Sequence, residues 1–455
     1  MDFRTFVAEL DAAGELLKVH SEVDPEYELG ALLKQAEARR KAIRFERVKG
    51  SPFPAVGGVM SNPERHARSI GRAPQQMAAP GAWAAAIATA RANPLPAVQA
   101  NSGPAAEVVL QGNDVDLGRL PCPFVFPGDT HKFITAGLGI VLDPDTGIQN
   151  VGFYRAPLVD AQHISISGGV SSRLKQIYQA AARQNSKLSI AFIIGAPPAL
   201  LLTAGCRINR DEADLDIAGA LQGTPLELMR CQTSDLLVPA QAEFVIEAEV
   251  ELGNMLDHTM GEFPDSYGVT RSPVARVTAI SHRGDAVYHT ILGGMNREHN
   301  ALGSYIFAGL REQLLEQLKL DFPGLLDVEV ALVPRRMGGR CQICVALDKQ
   351  NNAEPQQIID AIYASTFDTF PLELIIQRIV VVDGDVAIRS SADVEWAIAM
   401  RADARDKIRV IEAPARGGGT TVRLAIDATL ELDRRQAGER PRIPDIGKYP
   451  LDKYL

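Results

Sequence analysis

Three short segments of this chain collect side chains able to grip an oxyanion and move a proton. The first, Asn150-Val-Gly-Phe-Tyr-Arg155, sets an amide, two aromatic rings and a guanidinium close behind the apolar run Thr135 to Leu142. A guanidinium is a permanent cation whose planar fork of donors matches the oxygens of a carboxylate or phosphate. The second segment runs from Arg230-Cys-Gln-Thr-Ser-Asp to Glu243-Phe-Val-Ile-Glu247, and the third is Gly261-Glu-Phe-Pro-Asp265-Ser-Tyr-Gly268. A carboxyl works as an acid when burial or nearby negative charge lifts its pKa towards the working pH. Taken alone, the first segment also fits an ordinary strand that ends in a solvated arginine.

The elements that must position these segments change character along the chain. Residues 2–40 read as helical, with Phe6, Leu10, Leu16-Leu17, Leu29, Leu32-Leu33 and Ala36 at helical spacing around the turn-rich Glu22-Val-Asp-Pro25. Ala79-Pro-Gly81 followed by Ala82 to Ala92 suggests a turn and then a helix, and Asn93 to Pro104 reads as a linker. From residue 105 to residue 300 strands dominate. His163 to Ser167, Phe244 to Leu252 and Ala275 to Ile280 alternate, which suits a barrel or sandwich. One helix interrupts them, Ser172 to Gln184, with the stripe Leu174, Ile177, Tyr178 and Ala181 and a cap at Ser171 or Ser172. Its N-terminal amides would attract an anion such as a phosphate. Leu302 to Leu320 reads as a long amphipathic helix, and alternating strands and helices after it predict a C-terminal α/β domain. The expected division is 1–104, 105–300, 301–323 and 324–455.

A chain of 455 residues exceeds one core and predicts two or three domains. Its 47 basic against 56 acidic side chains, with no basic run longer than Arg39-Arg40-Lys41, argue against a nucleic-acid partner. Met1-Asp-Phe-Arg-Thr-Phe lacks the basic start and apolar stretch of a signal peptide, and no window approaches ~18 uninterrupted apolar residues. The chain therefore reads as cytoplasmic, with no stable membrane insertion. Five scattered cysteines fit reduced thiols. Cys341-Gln-Ile-Cys344 has zinc or redox spacing, yet it lacks a second pair and its flanks alternate like a strand.

In this order and at these separations, the three segments resemble the UbiD family of non-oxidative decarboxylases, which use a prenylated flavin mononucleotide (prenylated FMN). Weaker collinear pieces extend the likeness: Phe3-Arg-Thr-Phe-Val, Glu15-Leu-Leu-Lys-Val, Ile43 to Gly50 and Asp393-Val-Glu-Trp396. The resemblance implies an α/β (α+β) fold in which a split β-barrel flavin-binding domain is linked by a long helix to a C-terminal α/β domain that supports homodimers or homohexamers. The implied substrate is a small aromatic, heteroaromatic or α,β-unsaturated carboxylic acid, and a flavin prenyltransferase would supply the cofactor. Loss of CO2 leaves a carbanion-like centre, for which no side chain is an electron sink. By this likeness Arg155 orients substrate and flavin, Asp265 returns the proton, and Phe153 and Tyr154 lie along the flavin. Ser172 and Arg173 lie beside the cofactor, and Arg423 stands where the family places a lysine on the flavin phosphate. Asn150 and Glu243 match two ligands of a divalent metal, usually Mn2+ helped by K+, and oxygen donors are what such an ion prefers.

Two positions depart from the family pattern. Arg173 stands where many members carry a histidine as third ligand. Either its guanidinium binds phosphate directly or the site has lost its metal, and the presence of both Asn150 and Glu243 favours a surviving metal. Met260 stands where the first glutamate of the acid motif belongs. Glu262 could supply that carboxylate through a shifted loop, or Asp265 could work alone with Arg155. These departures leave two other readings open. One is a divergent member acting on a thioester-linked or dicarboxylic acid, or running another flavin-dependent lyase or isomerase reaction. The other is a non-catalytic flavin-binding protein.

Overall fold

The computed structural model describes residues 1–79, 81–167, 173–262, 266–294, 296–307, 309–332, 341–365, 376–414 and 420–434. The chain forms two compact units, Met1–Gly309 and Leu310–Leu455. Among the described residues, no helix is long and apolar enough to cross a membrane.

The first unit opens with the helix Phe3–Ala12, capped by Asp2, whose carboxylate accepts from Thr5 N at 2.7 Å. Phe3, Phe6, Val7 and Leu10 bury one face of it. The helical reading of residues 2–40 then fails at Leu16-Leu17. Gly14, at φ +66°, turns the chain out of the helix, and Leu16–Val23 is a strand paired in parallel with Ala42–Val48. Its partner is distant in sequence, so local spacing could not reveal it. A second helix, Glu28–Ala38, bridges the two strands.

A seven-stranded sheet follows, in the order His163–Ser165, Ser266–His282, Phe244–Glu262, Ser189–Ile194, Leu138–Leu142, Gln149–Phe153, with Val108–Gln111 on the outer side of Ser266–His282. Phe244, Ile246, Ala248 and Val250 alternate into a core shared with Ile190, Phe192 and Ile194. Burying each large apolar side chain of this set contributes about 1.5–3 kcal/mol. Phe244–Glu262 and Ser266–His282 form one long hairpin. Its base lies in the sheet, and beyond a register shift after Val250 it runs on as a two-stranded arm. The helix Arg173–Gln184 buries Leu174, Ile177 and Ala181, as its stripe predicts.

The long helix expected over Leu302 to Leu320 is broken. Arg297–Gly303 is followed by a 3-10 turn, Ser304–Phe307, and a separate helix, Leu310–Asp321. Gly309 between them has φ +86°, a left-handed conformation that no α-helix can contain. The break coincides with the boundary between the units.

In the second unit a five-stranded sheet runs Leu325–Leu332, Cys341–Leu347, Ile376–Asp383, Thr420–Ala428, Ile408–Pro414. The helices Glu354–Ala364 and Ser391–Arg401 belong to the same unit. Cys341 and Cys344 sit three apart on a fully buried strand and so point to opposite faces. Burial pushes their thiols up to about 12 and about 11, which favours the protonated form of each.

Candidate active site

Arg155 follows the strand Gln149–Phe153, and its carbonyl accepts from Ser167 N at 2.9 Å. Its Nη1 donates to Gly261 O at 2.7 Å, at the far end of the hairpin arm. The arm end is gripped from a second direction. Asp129 accepts from Gly261 N at 2.8 Å and from Phe126 N at 3.1 Å, and Thr130 N donates to Thr259 O at 3.0 Å. Any side chain at Gly261 would drive into the Phe126 ring, so only glycine permits this approach. Gly293 completes the surroundings: a Cβ built on it would meet Gly261 O at 3.7 Å and Arg155 Nη1 at 3.8 Å. Arg155 thus links the amide-bearing strand to the hairpin end from which Glu262 and Asp265 continue. The Glu262 side chain and all of Asp265 lie outside the described residues, as does Ser172.

Asp129 is buried, and burial raises its carboxyl pKa against the opposing pull of the Gly261, Phe126 and Val125 amides and of Arg155. It is a carboxylate in the field of Arg155 that the sequence pattern does not single out, because Pro127-Gly-Asp129-Thr130 reads as a surface turn.

Asn150 is buried on the same strand. Its Oδ1 accepts from the Tyr154 hydroxyl at 3.1 Å, and its Nδ2 donates to Asp214 Oδ2 at 3.3 Å. Burial holds the Tyr154 phenol well above its ordinary range, so it remains a neutral donor. Asp214, fully buried, opens the helix Asp214–Gln222. It accepts from Val151 N at 3.0 Å and from Arg173 Nη2 at 2.8 and 3.0 Å. Arg173 Nη1 donates to Asn209 O at 3.1 Å. Burial pushes the Asp214 carboxyl up in pKa, and Arg173 is first among the groups that oppose it. Asp214 is a second buried acid that the sequence reading passes over. The run Asp211-Glu212-Ala213-Asp214 looks like a solvated helix start, where acids are common.

Glu243 stands elsewhere. It accepts from Arg4 Nε at 3.1 Å and Nη2 at 2.8 Å and from Val287 N at 2.9 Å, with Arg283 Nε at 3.7 Å. The pairings Asn150↔Val141, Val141↔Ile190 and Ile190↔Ala248 put Asn150 three strands across and five residues along from Glu243. With ~4.8 Å per strand and ~3.4 Å per residue, that is on the order of 20 Å. The two cannot ligate one ion, which corrects the metal pair expected from the sequence. Among the described residues no group of three His, Cys, Asp or Glu could hold a metal. The donors around Asn150 do not fit a divalent cation either, because Arg173 already neutralises the carboxylate beside it.

Phe153 is half-buried and packs against the core of the first unit. Arg423 belongs to the second unit, where its guanidinium lies over the Tyr363 ring, 6.0 Å from the centroid.

Comparison with known proteins accounts for this architecture. The N-terminal, Rift-related and C-terminal domain models of 3-octaprenyl-4-hydroxybenzoate carboxy-lyase match residues 7–79, 97–296 and 304–428. The structure of the UbiD-class enzyme HmfF from Pelotomaculum thermopropionicum in complex with FMN is similar over 100% of both chains, with TM-score 0.85 and 31% identity. An evolved dimeric form of that enzyme in complex with prFMN gives TM-score 0.81 and 32% identity, again over 100% of both chains. A Synechocystis protein, the uncharacterized sll0936, is 28% identical over 95% of this chain and 90% of its own length. The chain belongs to the UbiD family of carboxy-lyases. Its fold is the α/β fold of that family, with the seven-stranded sheet as the half-barrel.

Proposed function

We propose that this protein is a reversible, non-oxidative decarboxylase of an aromatic, heteroaromatic or α,β-unsaturated carboxylic acid, working with prenylated FMN. The observation that carries this reading is the bond from Arg155 Nη1 to Gly261 O at 2.7 Å, which brings a guanidinium to the hairpin end that leads into the candidate acids. The likeness to HmfF, solved with FMN and with prFMN, supports the choice of cofactor. Phe153 and Arg155 are partly exposed, and Gly293 brings no side chain against Arg155, which fits a flat conjugated ring. Prenylated FMN, when bound, supplies the electron sink that amino-acid side chains lack.

In this reading Arg155 orients the substrate carboxylate, with Asp129 and Gly261 O fixing the guanidinium from the protein side. Asp265 returns a proton to the carbon that CO2 leaves, with Glu262 as the second carboxyl on the same hairpin end. The chain works as a homodimer or homohexamer, which light scattering of the purified protein checks.

The decisive experiment is co-expression with a flavin prenyltransferase and purification in the dark without oxygen. A bound species heavier than FMN by one prenyl unit, and CO2 release from members of an acid panel, are expected. Arg155→Lys keeps the charge but loses the fork and should slow CO2 release by about 10²-fold, as expected from charged hydrogen bonds worth about 1.5–3 kcal/mol. A folded protein that takes up no flavin and releases no CO2 from any acid would sink the proposal.

A further inference from the structure

We infer that the Arg173 guanidinium occupies the place a divalent cation would take between Asn150 and Asp214, so that this chain anchors an anion there without a metal. The inference deepens the flavin reading and rests on it only for the identity of that anion, the terminal phosphate of a flavin mononucleotide.

The argument begins with the lone pairs of Asp214. A carboxylate offers about four acceptor sites. Here Val151 N, Asn150 Nδ2 and Arg173 Nη2, the last reaching both oxygens, are directed at them. All three meet at Oδ2, and Oδ1 is faced by the Arg173 guanidinium, which holds the position from which a cation would approach it. The Asn150 amide is set against a cation as well. Its oxygen is turned to the Tyr154 hydroxyl and its NH2 faces the carboxylate, and reversing it would press two acceptors together at the 3.3 Å now spanned by the hydrogen bond. The arrangement is a complete ion pair built from the protein's own charges. A site designed for a divalent ion would instead present oxygens with uncompensated negative charge.

Arg173 is also placed to receive an anion. Its side chain is 21% exposed, whereas that of Asp214 is 0% exposed. Nη2 is committed to Asp214 and Nη1 reaches Asn209 O, while Nε has no acceptor among the described residues. The buried carboxylate thus fixes the inner edge of a guanidinium whose outer edge remains near solvent, the geometry in which arginine takes phosphate oxygens.

The test is Mn2+ uptake by the full-length protein, followed by electron paramagnetic resonance and by metal analysis after desalting, with FMN affinity measured in parallel with and without EDTA. The parent should take up no stoichiometric Mn2+, and EDTA should not change its FMN affinity. Arg173→His removes the built-in cation, supplies a third neutral ligand, and should gain stoichiometric Mn2+ that Asp214→Asn added to it abolishes. Arg173→Gln should weaken FMN binding by roughly tenfold, the scale of one lost charge-assisted hydrogen bond. Stoichiometric Mn2+ in the parent that Asp214→Asn removes would overturn the inference. So would an Arg173→His protein, folded by circular dichroism, that takes up no Mn2+. If that variant does not fold, the parent's uptake and its EDTA response decide alone. Failure of the parent to bind any flavin, with the Mn2+ results as expected, would count against the cofactor and leave the built-in cation standing.

Discussion

Asp214 and Glu243 are both fully buried carboxylates held by arginine, yet their surroundings differ in a way that separates a candidate ligand site from a structural latch. Glu243 has two guanidinium groups within reach, Arg4 and Arg283, plus the Val287 amide. It ties the first helix to the base of the hairpin, on the wall of a cavity of ≈ 730 Å³ also lined by Lys18, Arg44 and Arg119. None of Asn150, Tyr154, Arg155 or Arg173 lines that cavity. Asp214 has a single guanidinium, and its other partners are an amide side chain and a backbone N–H on the strand that leads to Arg155. A carboxylate with redundant counter-charges is a fastening. One with a single, partly exposed counter-charge leaves that charge able to serve a second anion.

The largest effect should come from removing the single partner. Arg173→Ala strands Asp214 without a counter-charge, and breaking a buried pair from one side costs about 3–5 kcal/mol. The cost should shrink on acidification. Burial already raises the Asp214 pKa, and without Arg173 it rises further. A carboxyl raised in the folded state is stabilising while protonated and loses that contribution as pH climbs through its folded pKa. Denaturant midpoints at pH 5 and pH 7 check this, and equal losses at both would show that Asp214 is not the group responsible.

Any acid comparison must be read against the parent's own response, which is the next largest effect. His66 is buried between the Tyr305 hydroxyl at 2.7 Å and Met60 O at 2.8 Å, and burial pushes its imidazole down to about 4 from 6.5. A depressed folded pKa gives stability that is present above the unfolded value and is lost as pH falls through the folded one. Parent stability should therefore drop by about 3 kcal/mol between pH 6.5 and pH 4. His66→Gln should flatten that slope while leaving the Asp214 and Glu243 pairs intact.

Arg4→Ala should cost less than Arg173→Ala, about 1–2 kcal/mol, because Arg283 and Val287 N stay with Glu243 and the Arg4 side chain is 33% exposed. If Arg4→Ala proves the costlier of the two, the distinction between fastening and site fails.

The same contrast shows what was legible in the amino-acid order. The helix Ala82–Ala92 carries its pattern within a few residues and appears where local spacing puts it, and the second unit contains the strands and helices that local patterning predicts for a C-terminal α/β domain. Leu16–Val23 and the break at Gly309 depend on a distant strand and on one backbone angle, which hydrophobic spacing cannot encode. Asn150 and Arg155 announced themselves by side-chain type. The family resemblance makes Glu243 their partner, whereas only the sheet register shows how far away it lies. Asp214 and Asp129 sit in segments that look solvated, and burial by remote elements is what makes them significant.

Asp129 offers the smallest stability effect and the most informative sign. It is a third carboxylate facing an arginine, but its fixed partners are backbone amides, and Arg155 acts on it through the field rather than as its main neutraliser. Burial has raised its pKa, so above that pKa the ionised form weighs against folding. Asp129→Asn keeps an oxygen for Gly261 N, removes the charge and gives up the bond from Phe126 N. Relief of the buried charge and loss of the Phe126 bond oppose each other, so stability at pH 7 should change by no more than about 1 kcal/mol. Decarboxylation should nevertheless slow, because Arg155 loses the negative field that holds its guanidinium at the hairpin end. A variant that is clearly destabilised but fully active would make Asp129 a fastening like Glu243. A stable variant with reduced kcat and a shifted pH profile would place it, with Arg155, in the apparatus that handles the substrate carboxylate.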